Sequence, residues 1–86
     1  MYNIIKRYMQ NITIDQVNNF AIAKNFNLSE EELTFTYNFV KKNWEKVLGN
    51  PKLLQLDRYK EKFSEENFVK INKLFSEYSQ KYRNYL

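Results

Sequence analysis

The side chains able to do chemistry in this chain are carboxylates, lysines and aromatics, and their spacing limits what that chemistry is. Glu30, Glu31 and Glu32 stand in a row, an arrangement that an acidic metal site uses. The same run follows Ser29, and a serine before glutamates is the ordinary start of a helix, which accounts for every residue in it. Asp15 with Glu45 and Asp57 with Glu61 are pairs of the kind that divide general acid and base work. Nothing in the sequence sets either pair in a cleft, and solvated charge is the normal state of such residues. The chain has no histidine, no cysteine and one glycine, Gly49. It therefore lacks the side chain best suited to proton transfer near neutral pH, any thiolate nucleophile or ligand, and any glycine-rich phosphate cradle. No catalytic residue, cofactor site or metal ligand is assigned, and the chain reads as a non-enzyme.

Two sets of residues remain as binding candidates. Lys41, Lys42, Lys46, Lys52, Arg58, Lys60 and Lys62 interleave with Trp44 and Tyr59. Cations mixed with flat rings grip RNA or single-stranded nucleic acid through phosphate contacts and base stacking. The competing reading makes Trp44 and Tyr59 core residues and the lysines a solvated rim. The second set is aromatic: Phe35 and Phe39 on one helix, and Tyr78, Tyr82 and Tyr85 near the C-terminus. Tyrosine suits a half-buried protein contact, having an apolar ring and a polar tip.

The elements that must position these residues are helices, since no strand-like alternation of any length occurs. A first helix is expected over about 2–11, with Ile5, Tyr8, Met9 and Ile12 to one side. Thr13 and Gln16 stand at capping-box spacing and open a second helix over about 14–25, with Ile14, Val17, Phe20 and Ala21 inward. Asn25 suits the turn, because asparagine tolerates the left-handed conformation. Ser29 and Glu32 form a second capping box, with Leu28 and Leu33 as its staple. The helix they start is expected to run to about Leu48, with Gly49 as a left-handed cap and Pro51 as the stop.

Leu33, Tyr37, Val40, Trp44, Val47 and Leu48 make one apolar stripe of that helix, with Trp44 expected to be central and buried. Phe35 and Phe39 fall nearly opposite. A helix apolar on two sides is either sandwiched between neighbours or offers one face to a partner. Ala21 and Asn25 also have the spacing of a helix-turn-helix, but a recognition helix opening with three glutamates would meet DNA phosphates with negative charge.

Asn50-Pro51 reads as an N-cap with proline at the first helical position, giving a short helix over about 51–60 that packs Leu53, Leu54 and Leu56. Ser64-Glu65-Glu66-Asn67 repeats the N-cap pattern with Asn67 where a capping box has Glu or Gln. Phe68, Ile71, Phe75, Tyr78, Tyr82 and Tyr85 then recur at spacings of 3 and 4. That seam is shorter than the three or four heptads of a coiled coil and outruns a bundle of this size.

Eighty-six residues make a single domain over 1–86. Seven Phe, seven Tyr and one Trp can supply a small core. The absence of cysteine fits a reducing compartment. No apolar run approaches the roughly 18 residues a membrane helix needs, and no signal-peptide pattern opens the chain. The expected location is the cytoplasm, with no membrane association. The net charge is +4, and its residue types (Asn, Lys, Ile, Tyr and Phe fill half the chain) are those of A/T-rich codons, a second source for the lysines.

The string from Ile14 to Lys42, with Phe20-Ala21, Asn27-Leu28-Ser29 and Phe39-Val40-Lys41-Lys42-Asn43, resembles a family of short cytoplasmic proteins of low-GC Gram-positive bacteria, a domain of unknown function. Phe63-Ser64-Glu65-Glu66 leading into Ile71-Asn72-Lys73-Leu74-Phe75 resembles it too. The resemblance implies an all-helical fold and carries no activity or site residue with it. The expected architecture is all-α, a compact orthogonal bundle of four to five helices around helix 30–48. The expected function is a helical interaction module that binds a protein partner or forms a homodimer through Phe35, Phe39, Tyr78, Tyr82 and Tyr85. The alternative is nucleic-acid binding through Lys41, Lys42, Lys46, Arg58, Lys60 and Lys62.

Overall fold

In α1 (Tyr2–Gln10), α2 (Ile14–Ala23), α3 (Glu30–Gly49), a 3-10 helix (Leu56–Lys62) and α4 (Glu65–Arg83), the computed structural model shows an all-α bundle. It describes residues 2–50 and 54–83, the side chains of the last helix being described as far as Tyr78 and at Gln80. No strand occurs among the described residues, and no helix there is long and apolar enough to cross a membrane.

Local chemistry sets the helix starts. Thr13 Oγ1 accepts the Gln16 N–H at 3.2 Å and Gln16 Oε1 accepts the Thr13 N–H at 2.9 Å, so the first capping box is reciprocal. Ser29 and Glu32 do the same for α3, at 3.1 and 2.8 Å. At the other end of α2, Asn25 adopts φ 67°. Phe26 N–H then returns to Ala21 O at 2.9 Å and Asn25 N–H to Ile22 O at 3.0 Å. This pair of bonds is a Schellman closure, which turns the chain so that Phe26 packs back toward Ala21.

The end of α3 differs from expectation. Gly49 stays within the helix and takes no positive φ. Asn50 is the cap instead, extended at φ −153° and ψ 91°, with its N–H on Lys46 O at 3.0 Å. The cause is Pro51, whose ring disfavours the helical region for the residue before it, so no left-handed turn is needed. The helix expected over about 51–60 is also corrected: residues 51–53 lie outside the described residues, and the chain next coils at Leu56–Lys62 as a 3-10 helix. Gln55, at its N-cap, gives no side-chain cap, and three residues per turn bring Leu56, Tyr59 and Lys62 into one column.

α3 is sandwiched. On one side Trp44 meets Tyr2 of α1 with ring centroids 6.3 Å apart, the Tyr2 hydroxyl donates to the Glu45 carboxylate, and Lys41 Nζ donates to Gln10 O at 2.7 Å. On the other side Phe35 and Phe39 meet Tyr59 at 5.7 and 5.0 Å, and Phe35 meets Phe63 at 5.6 Å. Trp44 is half-buried rather than central, because α1, only nine residues long with none of them buried, covers it from one side. The inward stripe expected of α2 is corrected as well: Val17 and Ala21 are buried, whereas Ile14 and Phe20 are exposed.

The buried apolar residues are Ile12, Val17, Ala21 and Phe68, and no large side chain is fully buried among the described residues. The radius of gyration, 12.9 Å, is close to the roughly 12 Å of a compact chain of this length, as expected of a compact bundle.

Candidate functional site

Two concave regions adjoin in this bundle, and they share Phe26 and Leu74 in their walls. The first is an apolar groove of about 220 Å³ between α2, α3, the 3-10 helix and α4. Its parts follow from the local structure. Val17, Phe20 and Ala21 come from α2, and the Schellman turn returns Phe26 beside them. Phe35 and Phe39 come one helical turn apart on α3, with Thr36 between them. The Thr36 hydroxyl is taken up by Glu32 O at 2.8 Å, so it adds no free polar group to the wall. The eclipsed column of the 3-10 helix supplies Leu56 and Tyr59.

Phe20 is 50% exposed and forms the open lip of the groove. Lys24 Nζ lies 5.8 Å from the centre of the Phe20 ring, and Lys62 Nζ lies 5.8 Å from that of Phe35. Cation–ring contacts of this kind hold ammonium groups at the edge of an apolar wall.

The second region is a wider, polar cleft of about 460 Å³ lined by Lys24, Asn25, Lys70, Lys73, Glu77 and Tyr78, with Phe26 and Leu74. Lys24 Nζ also stands 5.8 Å from the Tyr78 ring centre. Lys70 Nζ donates to Asn25 O at 2.7 Å and pairs with Glu66 at 3.5 Å, placing positive charge where the last carbonyls of α2 want it.

The structure thus brings three of the five aromatic candidates to neighbouring walls: Phe35 and Phe39 in the groove, Tyr78 in the cleft. The side chain of Tyr82, and Tyr85 altogether, lie outside the described residues. The basic candidates are spread over two elements. Lys42, Lys46, Arg58 and Lys60 are exposed, Lys41 is tied to the end of α1, and Lys62 sits against Phe35.

No family model, curated protein or solved structure matches the chain.

Among the described residues no group of three or more acidic side chains converges to hold a metal ion. Glu45 is engaged with Tyr2, and that hydrogen bond, with some desolvation and the negative charge of Glu45, raises the Tyr2 hydroxyl above the usual tyrosine value. Asp15 and Asp57 lie in the first turns of their helices.

Glu32 does what no single-helix reading anticipates. Its carboxylate caps α3 through the Ser29 N–H and also accepts the Ser64 N–H of α4 at 2.8 Å. The Asn67 side-chain amide donates to its two oxygens at 3.0 and 3.2 Å and to Asn27 O at 3.1 Å. Ser64 Oγ accepts the Asn67 N–H at 3.1 Å. The capping box of α4 is therefore completed by a residue of α3, and Asn67 is a buried cross-link rather than an imperfect cap. Burial pushes the Glu32 carboxyl upward, but the backbone hydrogen bonds from Ser29 and Ser64 and the Asn67 amide outweigh it and hold the group below its usual value.

Proposed function

We propose that this protein is a small non-enzymatic interaction module of the cytoplasm. It binds a protein partner or a second copy of itself through the aromatic surface made by Phe20, Phe35, Phe39 and Tyr78. One observation carries the reading: an open apolar groove is walled by four elements in a molecule that fully buries none of its large described side chains. Monomeric proteins rarely leave contiguous apolar surface uncovered, and large exposed patches mark interaction sites. The groove is smaller than the roughly 300–1,000 Å³ of sites for drug-sized molecules or cofactors. It suits one or two anchoring side chains, the units in which protein interfaces concentrate their energy. The lack of cysteine supports a reducing compartment.

The test is site-specific photo-crosslinking in the cells that make the protein, with a benzophenone amino acid at Phe20 and, as control, at the exposed Asp57. Discrete adducts from position 20 that are absent from position 57 are expected. Position 20 giving no adduct beyond the control contradicts the reading.

A further inference from the structure

We infer that the occupant of the groove is an acidic amphipathic helix of another protein, its apolar anchors seated among Phe20, Phe35 and Phe39 and its carboxylates facing Lys24, Lys62 and Lys73. The inference rests on the interaction reading above and adds the chemistry of the partner. Three observations carry it. The groove walls are hydrocarbon and aromatic, with the Thr36 hydroxyl already satisfied, so the seat accepts apolar side chains and reads no base edge or sugar hydroxyl. The lip of the groove is cationic at two points, Lys24 over Phe20 and Lys62 over Phe35. The cleft that continues it past Phe26 and Leu74 adds Lys70 and Lys73.

Acidic residues stand here too, but fewer. Glu66 is engaged with Lys70 at 3.5 Å, and Glu77 lines the cleft. Among the residues that line the two regions, three lysines stand against one glutamate, which leaves the trough positive. An apolar seat flanked by positive charge is the complement of a helix with two anchors at i and i+3 or i+4 and acids beside them. The same charge disfavours an isologous pair of this chain, because the groove of a second copy carries the same excess of lysine and offers no matching acidic face.

The test uses a phage-displayed library of roughly 14-residue helices, about four turns, with Leu or Phe fixed at the anchor positions and random residues elsewhere. It is selected on the whole chain, and the tightest peptide is titrated by fluorescence anisotropy. Selected peptides are expected to be enriched in Asp and Glu. Their affinity is expected to fall about tenfold or more in Lys24→Glu/Lys73→Glu, to weaken with salt, and to be lost in Phe20→Asp. These positions are exposed, and circular dichroism checks the fold of each variant, with Phe20→Ser in reserve for Phe20→Asp. Neutral or basic peptides, or affinity indifferent to charge reversal but sensitive at Phe20, overturn the acidic partner and leave the interaction reading standing. A chain that sediments as a dimer and becomes monomeric with Phe20→Asp identifies the occupant as a second copy and also overturns it. No binder above background, or binding indifferent to Phe20, overturns both.

Discussion

The junction around Glu32 and the groove beside Phe20 lie on the same two long helices, yet they are built on opposite principles. At the junction, a carboxylate 7% exposed and an amide 4% exposed satisfy one another, two helix starts and the Asn27 carbonyl. No buried side-chain polar atom among the described residues lacks a partner. In the groove, apolar walls from four elements stop short of meeting. A fully satisfied buried network fixes one arrangement of the helices, whereas an unfilled apolar trough leaves surface that only another molecule can cover. Fold and binding surface are thus assigned to neighbouring turns of the same helices, Glu32 and Asn67 standing about one turn before Phe35 and Ile71, and a substitution at the exposed lip, Phe20, is expected to leave the junction standing.

The largest effects are expected at the junction. Phe68 is buried directly beside Asn67, and Phe68→Ala is expected to cost about 3–5 kcal/mol, which approaches the whole stability of a chain this size. Thermal or urea unfolding measures it. Glu32→Ala leaves the Ser64 N–H and the Asn67 amide without their acceptor, and about 2–4 kcal/mol is expected from the loss of two caps and the stranded donors. Glu32→Gln retains one acceptor oxygen and should fall between Glu32→Ala and the parent.

The same group sets an acid limit. Because the folded state holds the Glu32 carboxyl below its usual value, its contribution is complete above the unfolded carboxyl pKa and is lost as pH falls through the lower, folded one. Urea midpoints taken from pH 7 down to pH 3 are expected to decline at the acid end. They should decline less in Glu32→Gln, and equal acid slopes in the two proteins contradict this role.

Trp44 occupies the middle ground. Half-buried against Tyr2, it is expected to cost about 1–3 kcal/mol on replacement by Ala, short of the value for a core tryptophan. A larger loss would mean that the α1 face, not the junction, holds the bundle together.

Much of this was legible in the sequence, and the rest was not for identifiable reasons. The starts of α2 and α3 were readable because Thr13 with Gln16 and Ser29 with Glu32 are complete within four residues. Asn25 in the left-handed region followed from its type alone. The second duty of Glu32 was hidden, since Ser64 lies 32 residues away and no local pattern couples them. Asn67, which looked like a weak substitute for Glu, was the only trace. Phe35 and Phe39 were rightly set apart from the Trp44 stripe. That the second face is partly roofed by Tyr59 and Phe63 depended on the 3-10 geometry of 56–62, where the apolar spacing fits an α-helix nearly as well.

The division between the two regions is tested most directly by urea unfolding of Phe20→Asp beside Glu32→Ala. Phe20 is an exposed lip residue, so Phe20→Asp is expected to stay within about 1 kcal/mol of the parent, while Glu32→Ala loses about 2 kcal/mol or more. A Phe20→Asp protein that unfolds as readily as Glu32→Ala would make the groove part of the core and contradict the account.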